Sequence, residues 1–336
     1  MHPIEEHHLG LTRRRFFSTA AKGIGAGLGL AALSSLLGRE ARADSSSRSS
    51  ARGPHFAPRA KRVIYLHMEG APSQLDLYDY KPELRARFDE DLPDSIRQGQ
   101  RLTGMTSGQA RFPVAPSIFR FSRYANQQDG VWLSELIPHT AAIANELCFV
   151  HSMKTDAINH EPGITFFQTG NQQPGRPSFG SWVSYGLGSD SEDLPAFVVM
   201  TSRDKEASCG QIFYDFYWGS GFLPSKYQGV KFRGSGDPVL YLSNPDGMSR
   251  ELRRTMLDGL GELNAIKLRD HGDPETATRI AQYEMAYRMQ SSVPELTDLS
   301  TEPKHILDMY GPDVLRQGSY AYNCLMARRL AERGVR

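Results

Sequence analysis

The order of apolar segments between residues 60 and 200 restricts the fold of this chain more than any other feature. Short runs bounded by polar residues occur at 61–68, 146–153 and 195–200. Runs of this kind are typical of strands that are covered on both faces of a parallel sheet. Helix-like patterns at 133–147 and 177–187 separate them. Alternating strands and helices predict an α/β fold with a mostly parallel sheet flanked by helices.

Beyond residue 247 the sequence is helical in pattern, with helices expected at 249–270, 274–292, 302–310 and 318–333. Asp273 is the expected N-cap of the second, and Gly334 is expected to close the last. Val335 and Arg336 then resemble the start of another strand. We therefore expect residues 61–336 to form one α/β domain whose C-terminal part is missing.

The N-terminus has the order of a signal peptide. Arg13, Arg14 and Arg15 precede two phenylalanines, a glycine-spaced apolar run covers 20–37, and Ala41-Arg42-Ala43 matches a signal-peptidase site. Paired arginines in this position indicate the twin-arginine pathway. The apolar run is shorter than the ~20 residues of a bilayer span. We expect residues 1–43 to be removed, leaving a periplasmic or extracellular protein with no stable membrane span, whose partner during export is the twin-arginine translocase.

Residues 44–60 are rich in Ser, Arg and Pro, which predicts a disordered linker. The formal net charge of +1 gives no field that would attract nucleic acid, so we expect no nucleic-acid partner. Three cysteines without C-x-x-C spacing support neither a zinc site nor a disulfide scaffold. A redox enzyme is a weaker alternative, because the chain has no Rossmann glycine fingerprint and no cysteine cluster.

Glu69 and Gly70 follow the first predicted strand. Ligands bind at the carboxyl ends of strands in open α/β sheets, so Glu69 is a candidate metal ligand, with Asp76 and Asp79 behind it. The same residue types are common in turns, so the alternative is a turn that binds no ligand.

A second motif follows the run at 146–153. Pro162 in the first turn predicts a helix that begins around His160, and the free N–H groups of that helix would face the same edge as Glu69. His160 is a candidate metal ligand and acid–base group, with Asp156 and Glu161 beside it. A helix cap with a surface histidine explains the pattern equally well.

Arg176 lies between two Pro/Gly turns, where it would suit bidentate binding of an oxyanion, although the segment also reads as a plain loop. Residues 202–247 are rich in aromatic side chains, and we expect most of these rings to pack an irregular excursion onto the domain instead of binding a ligand.

Several of these stretches together resemble the bacterial family known as domain of unknown function 1501, which is grouped with the alkaline-phosphatase-like and sulfatase-like superfamily. The similar segments are 68–84, 159–189, 194–200, 290–311 and 319–336. The resemblance implies an alkaline-phosphatase-like fold, a zinc pair or a calcium ion, and attack on a phosphate or sulfate ester by a nucleophile at a helix N-terminus.

The resemblance also implies roles for individual residues. Glu69-Gly70 stands where relatives have an Asp-Gly metal ligand, and Thr169-Gly170 with Pro174 is similar to a sulfatase helix. The chain departs from the pattern at Asn159-His160-Glu161, where a Ser, Thr or Cys nucleophile would be expected.

Two functions follow as hypotheses. The first is an exported, metal-dependent hydrolase of a small-molecule or glycan phosphate or sulfate ester, with Glu69, Asp76 and His160 as metal ligands and with His160 and Arg176 as catalytic groups. The alternative is a non-catalytic secreted binding or assembly protein on the same fold.

Overall fold

The computed structural model describes residues 57, 59–68, 70–97, 99, 104, 106–125, 129–202, 214–239 and 242–336. The predicted signal peptide, most of the predicted linker and Glu69 lie outside the described residues. None of the helices in the described ranges combines the length and the apolar character needed to cross a membrane.

The described chain is a mixed α/β structure of two compact units. The first, here called the helical unit, comprises the described residues up to Ile64, those from Gly180 to Ser202, and Gly219–Arg336. The second, here called the hairpin unit, comprises Tyr65–Phe179 and residues 214–218.

The hairpin unit contains one antiparallel sheet and several short helices. Its sheet pairs Phe121 with Ser134 and Tyr124 with Val131. Val131 and Leu133 of this sheet pack with Ala141 and Ala144 in a small core. In chain order, the elements are α1 (Gln74–Leu77), α2 (Glu83–Ala86), α3 (Asp94–Arg97), β1 (Phe121–Tyr124), β2 (Val131–Ser134), α4 (Pro138–Ala142), a 3-10 turn (Ala144–Glu146) and α5 (His160–Thr169), with a further 3-10 turn at Asp215–Trp218.

The helical unit contains a parallel strand pair and the long helices. Val198 pairs with Val230 and Met200 with Phe232. The elements are α6 (Phe179–Leu187, whose first residue belongs to the hairpin unit), β3 (Val198–Met200), a 3-10 turn (Ser225–Tyr227), β4 (Val230–Phe232), α7 (Arg250–His271), α8 (Pro274–Thr297), α9 (Lys304–Tyr310) and α10 (Tyr320–Glu332).

The core of the helical unit joins one face of α8 to α10. Met289, Val293 and Leu296 come from α8, and Leu325 and Leu330 from α10. All five are at most 3% exposed. Burial of this kind contributes about 1.5–3 kcal/mol for each large apolar side chain. Packing between these two helices therefore stabilises the unit.

Local capping explains where the long helices begin. The Asp273 side chain accepts a hydrogen bond from Glu275 N (3.0 Å), and Ser249 does the same from Leu252 N (3.1 Å). Side-chain oxygens at these positions satisfy N–H groups that the helix itself leaves free. The predicted helices after residue 247 and the Asp273 cap are confirmed.

Two of the three predicted strands are wrong. Residues 61–68 form no strand, and Val63, Ile64 and Leu66 are 49%, 49% and 59% exposed. In the predicted strand at 146–153, Glu146 belongs to a 3-10 turn, residues 147–153 form no strand, and Val150 is 61% exposed. An apolar run becomes a strand only where a neighbouring segment can complete the backbone hydrogen bonds. The third predicted strand, at 195–200, is confirmed as β3.

The expected helix at 133–147 is also wrong over its first part. Leu133 is a fully buried residue of β2, and the helix begins only at Pro138. Proline favours the first helical position because its ring fixes φ and it has no N–H to leave unsatisfied. The expected helix at 177–187 is confirmed as α6. Within the described residues, the large, mostly parallel sheet is replaced by two sheets of two strands each.

Candidate functional site

The turn at Gly70 and the start of α5 meet in the hairpin unit. Ala71 N donates to Met68 O (3.2 Å), which closes a turn around Gly70, whose φ is +73°. A Cβ added to Gly70 would lie 3.7 Å from His160 Cε1 and 3.8 Å from His160 Nδ1. The Gly70 turn therefore lies close to the His160 ring, and the two motifs come together as the sequence predicts.

Helix α5 begins at His160 for a local reason. The Asn159 side chain accepts a hydrogen bond from His160 N (2.8 Å), and Glu161 places a negative charge in the first turn. The helix ends at Gly170, where φ is +75° and Gly170 N donates to Phe166 O (2.7 Å). The helix dipole gives this N-terminus a partial positive charge beside the Gly70 turn, although the N–H groups of His160 and Gly163 are hydrogen-bonded to Asn159, and Pro162 has no N–H.

His67 is a candidate site residue that the sequence analysis missed. Its ring stacks on Tyr65 (5.8 Å between centroids) and on Phe167 of α5 (6.1 Å). Its Nδ1 lies 3.5 Å from the Tyr65 hydroxyl, while its buried Nε2 has no hydrogen-bond partner among the described residues. The available signal was spacing, because His67 and Glu69 are two residues apart and alternate residues of an extended segment share one face.

Burial sets the charge states in this stack. It lowers the pKa of His67 and raises the pKa of Tyr65 to about 12. Removing water disfavours the charged form of either group. His67 is therefore a neutral imidazole at pH 7, which is the form that binds metals or accepts a proton.

The other predicted site residues lie as follows. Asp76 is half-buried in α1, where its backbone N–H donates to Ser73 O (3.2 Å). Arg176 is exposed in the loop between α5 and α6. The structure thus brings His160 close to the Gly70 turn, whereas among the described residues no hydrogen bond or ion pair joins the Asp76 or Arg176 side chain to it.

The described residues supply some, but not all, of the side chains that a metal ion would need as ligands. No group of three His, Cys, Asp or Glu side chains in the described ranges is placed to hold an ion. The unpartnered Nε2 of a neutral His67 nevertheless fits a nitrogen ligand, and His160 offers a second imidazole beside the same turn.

The aromatic excursion divides into buried and exposed rings. Tyr217 and Trp218 are 5% and 6% exposed, so they pack the chain as expected. In the helical unit, Trp182 and Tyr185 of α6 meet the rings of Phe222 (5.8 Å) and Tyr227 (5.3 Å) edge-on. Phe222 is 64% exposed, which makes this group an aromatic surface.

Comparison with known proteins identifies one family. Residues 60–336 match the family described as "Protein of unknown function (DUF1501)". Neither a curated protein nor a solved structure matches the chain.

Proposed function

This chain belongs to the DUF1501 family, and on that premise we propose that it is an exported, metal-dependent hydrolase of phosphate or sulfate esters with an alkaline-phosphatase-like fold. The observation that supports the proposal is the proximity of the Gly70 turn to His160 at the N-terminus of α5, where a Cβ added to Gly70 would lie 3.7 Å from His160 Cε1. An imidazole, the N-terminus of a helix and the residue after Glu69 therefore lie close together in the hairpin unit.

Each group has a proposed task. The partial positive charge at the N-terminus of α5 attracts ester oxygens, and Arg176 adds a planar, bidentate cation for the same oxygens. Glu69, Asp76 and His160 hold the metal, zinc or calcium, and His67 Nε2 is a further donor. A bound metal would polarise the ester oxygen and lower the pKa of a bound water. If His160 does not bind the metal, its imidazole instead transfers a proton to or from the reacting group.

The proposed location rests on the N-terminal sequence. Arg13 and Arg14, the apolar run at 20–37 and the cleavage motif at 41–43 support export by the twin-arginine translocase to the periplasm or beyond. This pathway carries folded cargo, so the metal would be loaded in the cytoplasm.

We predict hydrolysis of p-nitrophenyl phosphate or p-nitrophenyl sulfate that a chelator abolishes and added zinc or calcium restores. His160→Ala should lower kcat/KM by about 100-fold or more, because it removes a proton-transfer group. Arg176→Ala should lower it by about 100-fold through lost oxyanion binding. Both side chains are exposed, so neither change should unfold the chain.

A matched control is Arg87→Ala, which removes an exposed arginine of the same unit that forms an exposed ion pair with Glu90 at 3.6 Å. Its kcat/KM should equal that of the wild type. The proposed catalysis would be refuted if His160→Ala and Arg176→Ala kept the kcat/KM of the Arg87→Ala control. It would also be refuted if the wild type hydrolysed neither ester, whichever metal was added.

The exposed aromatic surface of Trp182, Tyr185, Phe222 and Tyr227 favours the alternative function, a non-catalytic binding protein. Clustered exposed rings offer a large apolar contact area at small entropic cost. If the catalytic assay fails, this surface becomes the first place to seek a ligand.

A further inference from the structure

Helix α7 presents an apolar face that no described part of the chain covers. Leu252, Met256, Leu260, Leu263 and Ile266 are 54%, 45%, 36%, 64% and 46% exposed. Intervals of four and three residues separate Leu252, Met256, Gly259, Leu263 and Ile266, which places these residues on one side of the helix. We call the five exposed apolar residues (Leu252, Met256, Leu260, Leu263 and Ile266) the α7 stripe.

The opposite side of α7 is already fixed to α8. Leu257 is buried, and Arg254 makes a bidentate ion pair with Glu284 of α8 (2.6 and 2.9 Å). Arg254 also lies over the Tyr287 ring at 4.9 Å. The stripe therefore belongs to a rigidly held helix and cannot turn inward to bury itself.

The spacing of the stripe is that of a coiled-coil seam. Met256 and Leu263 occupy position a of a heptad, and Leu252, Gly259 and Ile266 occupy position d. A Cβ added at Gly259 would meet no atom of the described residues within 4 Å. A glycine inside a helix lowers helix stability, and here it leaves room for the close approach of a second backbone.

We propose that the α7 stripe pairs with the same stripe of a second copy of this chain, in a parallel arrangement. The five side chains expose roughly 500 Å² per copy, so a pair would bury about 1,000 Å², the lower bound for a specific interface. Flanking side-chain stems add to that area.

The flanking charges select the parallel arrangement. Glu262 occupies position g and Lys267 occupies position e, and in a parallel pair these two positions of different copies lie side by side. No ion pair within the described residues involves either of them, which leaves both charges available. An antiparallel pair would instead place Glu262 beside Glu262 of the second copy, and like charges repel.

Sedimentation velocity on the full chain at tens of micromolar tests the proposal. The wild type should sediment as a dimer, and Leu263→Glu should weaken the dimer by about 100-fold because it places a charge at the seam. Leu315→Glu is the matched control, since Leu315 is 66% exposed, outside the stripe and in the same unit. Circular dichroism verifies that each variant is folded.

Charge reversal tests the direction of the helices. Glu262→Lys should weaken the parallel dimer, and adding Lys267→Glu to it should restore the wild-type dissociation constant. A monomeric wild type, or a dimer that Leu263→Glu leaves intact, would overturn the interface. A dimer in which Glu262→Lys has no effect would overturn the parallel arrangement.

Discussion

Replacing Arg329 by Ala is expected to lower the free energy of unfolding by about 3–5 kcal/mol, the usual cost of removing one member of a buried ion pair. The Arg329 side chain is 5% exposed. Its Nη1 donates to Glu302 Oε1 (2.5 Å), and its other nitrogens donate to the carbonyl oxygens of Leu296 (2.8 Å), Glu295 (3.0 Å) and Asp298 (2.9 Å). Urea unfolding followed by circular dichroism measures the loss.

The cost is large because the Arg329 side chain of α10 donates hydrogen bonds to carbonyl oxygens at the end of α8. Three carbonyls at or just after the end of α8 would lose a charged donor, and an unsatisfied buried acceptor costs about 1–3 kcal/mol. Glu302 would keep Arg328, whose hydrogen bonds hold the pKa of Glu302 below its ordinary value. The carboxylate would therefore stay charged and under-compensated.

Lys304→Ala serves as the control for this prediction. Lys304 and Asp308 form an ion pair at 2.7 Å, but their side chains are 86% and 62% exposed. An exposed pair contributes about 0–1 kcal/mol, so this variant should unfold close to the wild-type midpoint. A loss below about 1 kcal/mol for Arg329→Ala would contradict the role assigned to the buried guanidinium.

Gly318→Ala is expected to destabilise the helical unit by about 3 kcal/mol or more, through backbone strain and overpacking together. Gly318 has a φ of +79°, and an added Cβ would lie 2.3 Å from Gly234 O. That contact is with backbone, so no side-chain rotation relieves it. The next residue, Ser319, caps α10 by accepting a hydrogen bond from Tyr322 N (3.0 Å), and any shift of the backbone would disturb this cap.

Gly272→Ala separates strain from collision. Gly272 has a similar φ of +66°, yet an added Cβ there would meet nothing within 4 Å. Its loss should be about 1–2 kcal/mol, the cost of the left-handed conformation alone. Thermal or urea unfolding should give a clearly lower free energy of unfolding for Gly318→Ala than for Gly272→Ala. Equal losses would show that the approach of Gly318 to Gly234 does not constrain the fold.

Sequence patterns predicted the helices far better than the sheet. The helices α7 to α10 carry local signals, such as Ser249 and Asp273 at N-caps and Gly272 after a last turn, and these signals act within a few residues. A strand has no such local determinant, because its hydrogen bonds depend on a distant partner. The run at 61–68 was apolar enough for a buried strand, but among the described residues its one backbone N–H that donates to a distant segment is that of Val63, at Arg336 O (2.8 Å).

The candidate site was predicted in part. The start of α5 at His160 and its position beside Gly70 agree with the sequence motifs, and Asn159 provides the cap. His67 was missed because a histidine inside an apolar run is more often a core residue, and in the structure its Nε2, without a partner among the described residues, marks it as a candidate donor. The place of Arg176 depends on loop conformation, and that of Asp76 depends on how a four-residue helix packs, which the sequence pattern does not determine.

The metal content of the purified full chain tests the proposed function most directly. Inductively coupled plasma mass spectrometry should find stoichiometric zinc or calcium in the wild type and none in Glu69→Ala/His160→Ala, with unchanged circular dichroism. The control Asp94→Ala/His139→Ala removes a carboxylate and an imidazole of the same unit that are both exposed and outside the proposed ligand set, so it should keep its metal. A wild type that binds no metal, or full metal retention in Glu69→Ala/His160→Ala, would contradict a metal-dependent hydrolase at this site.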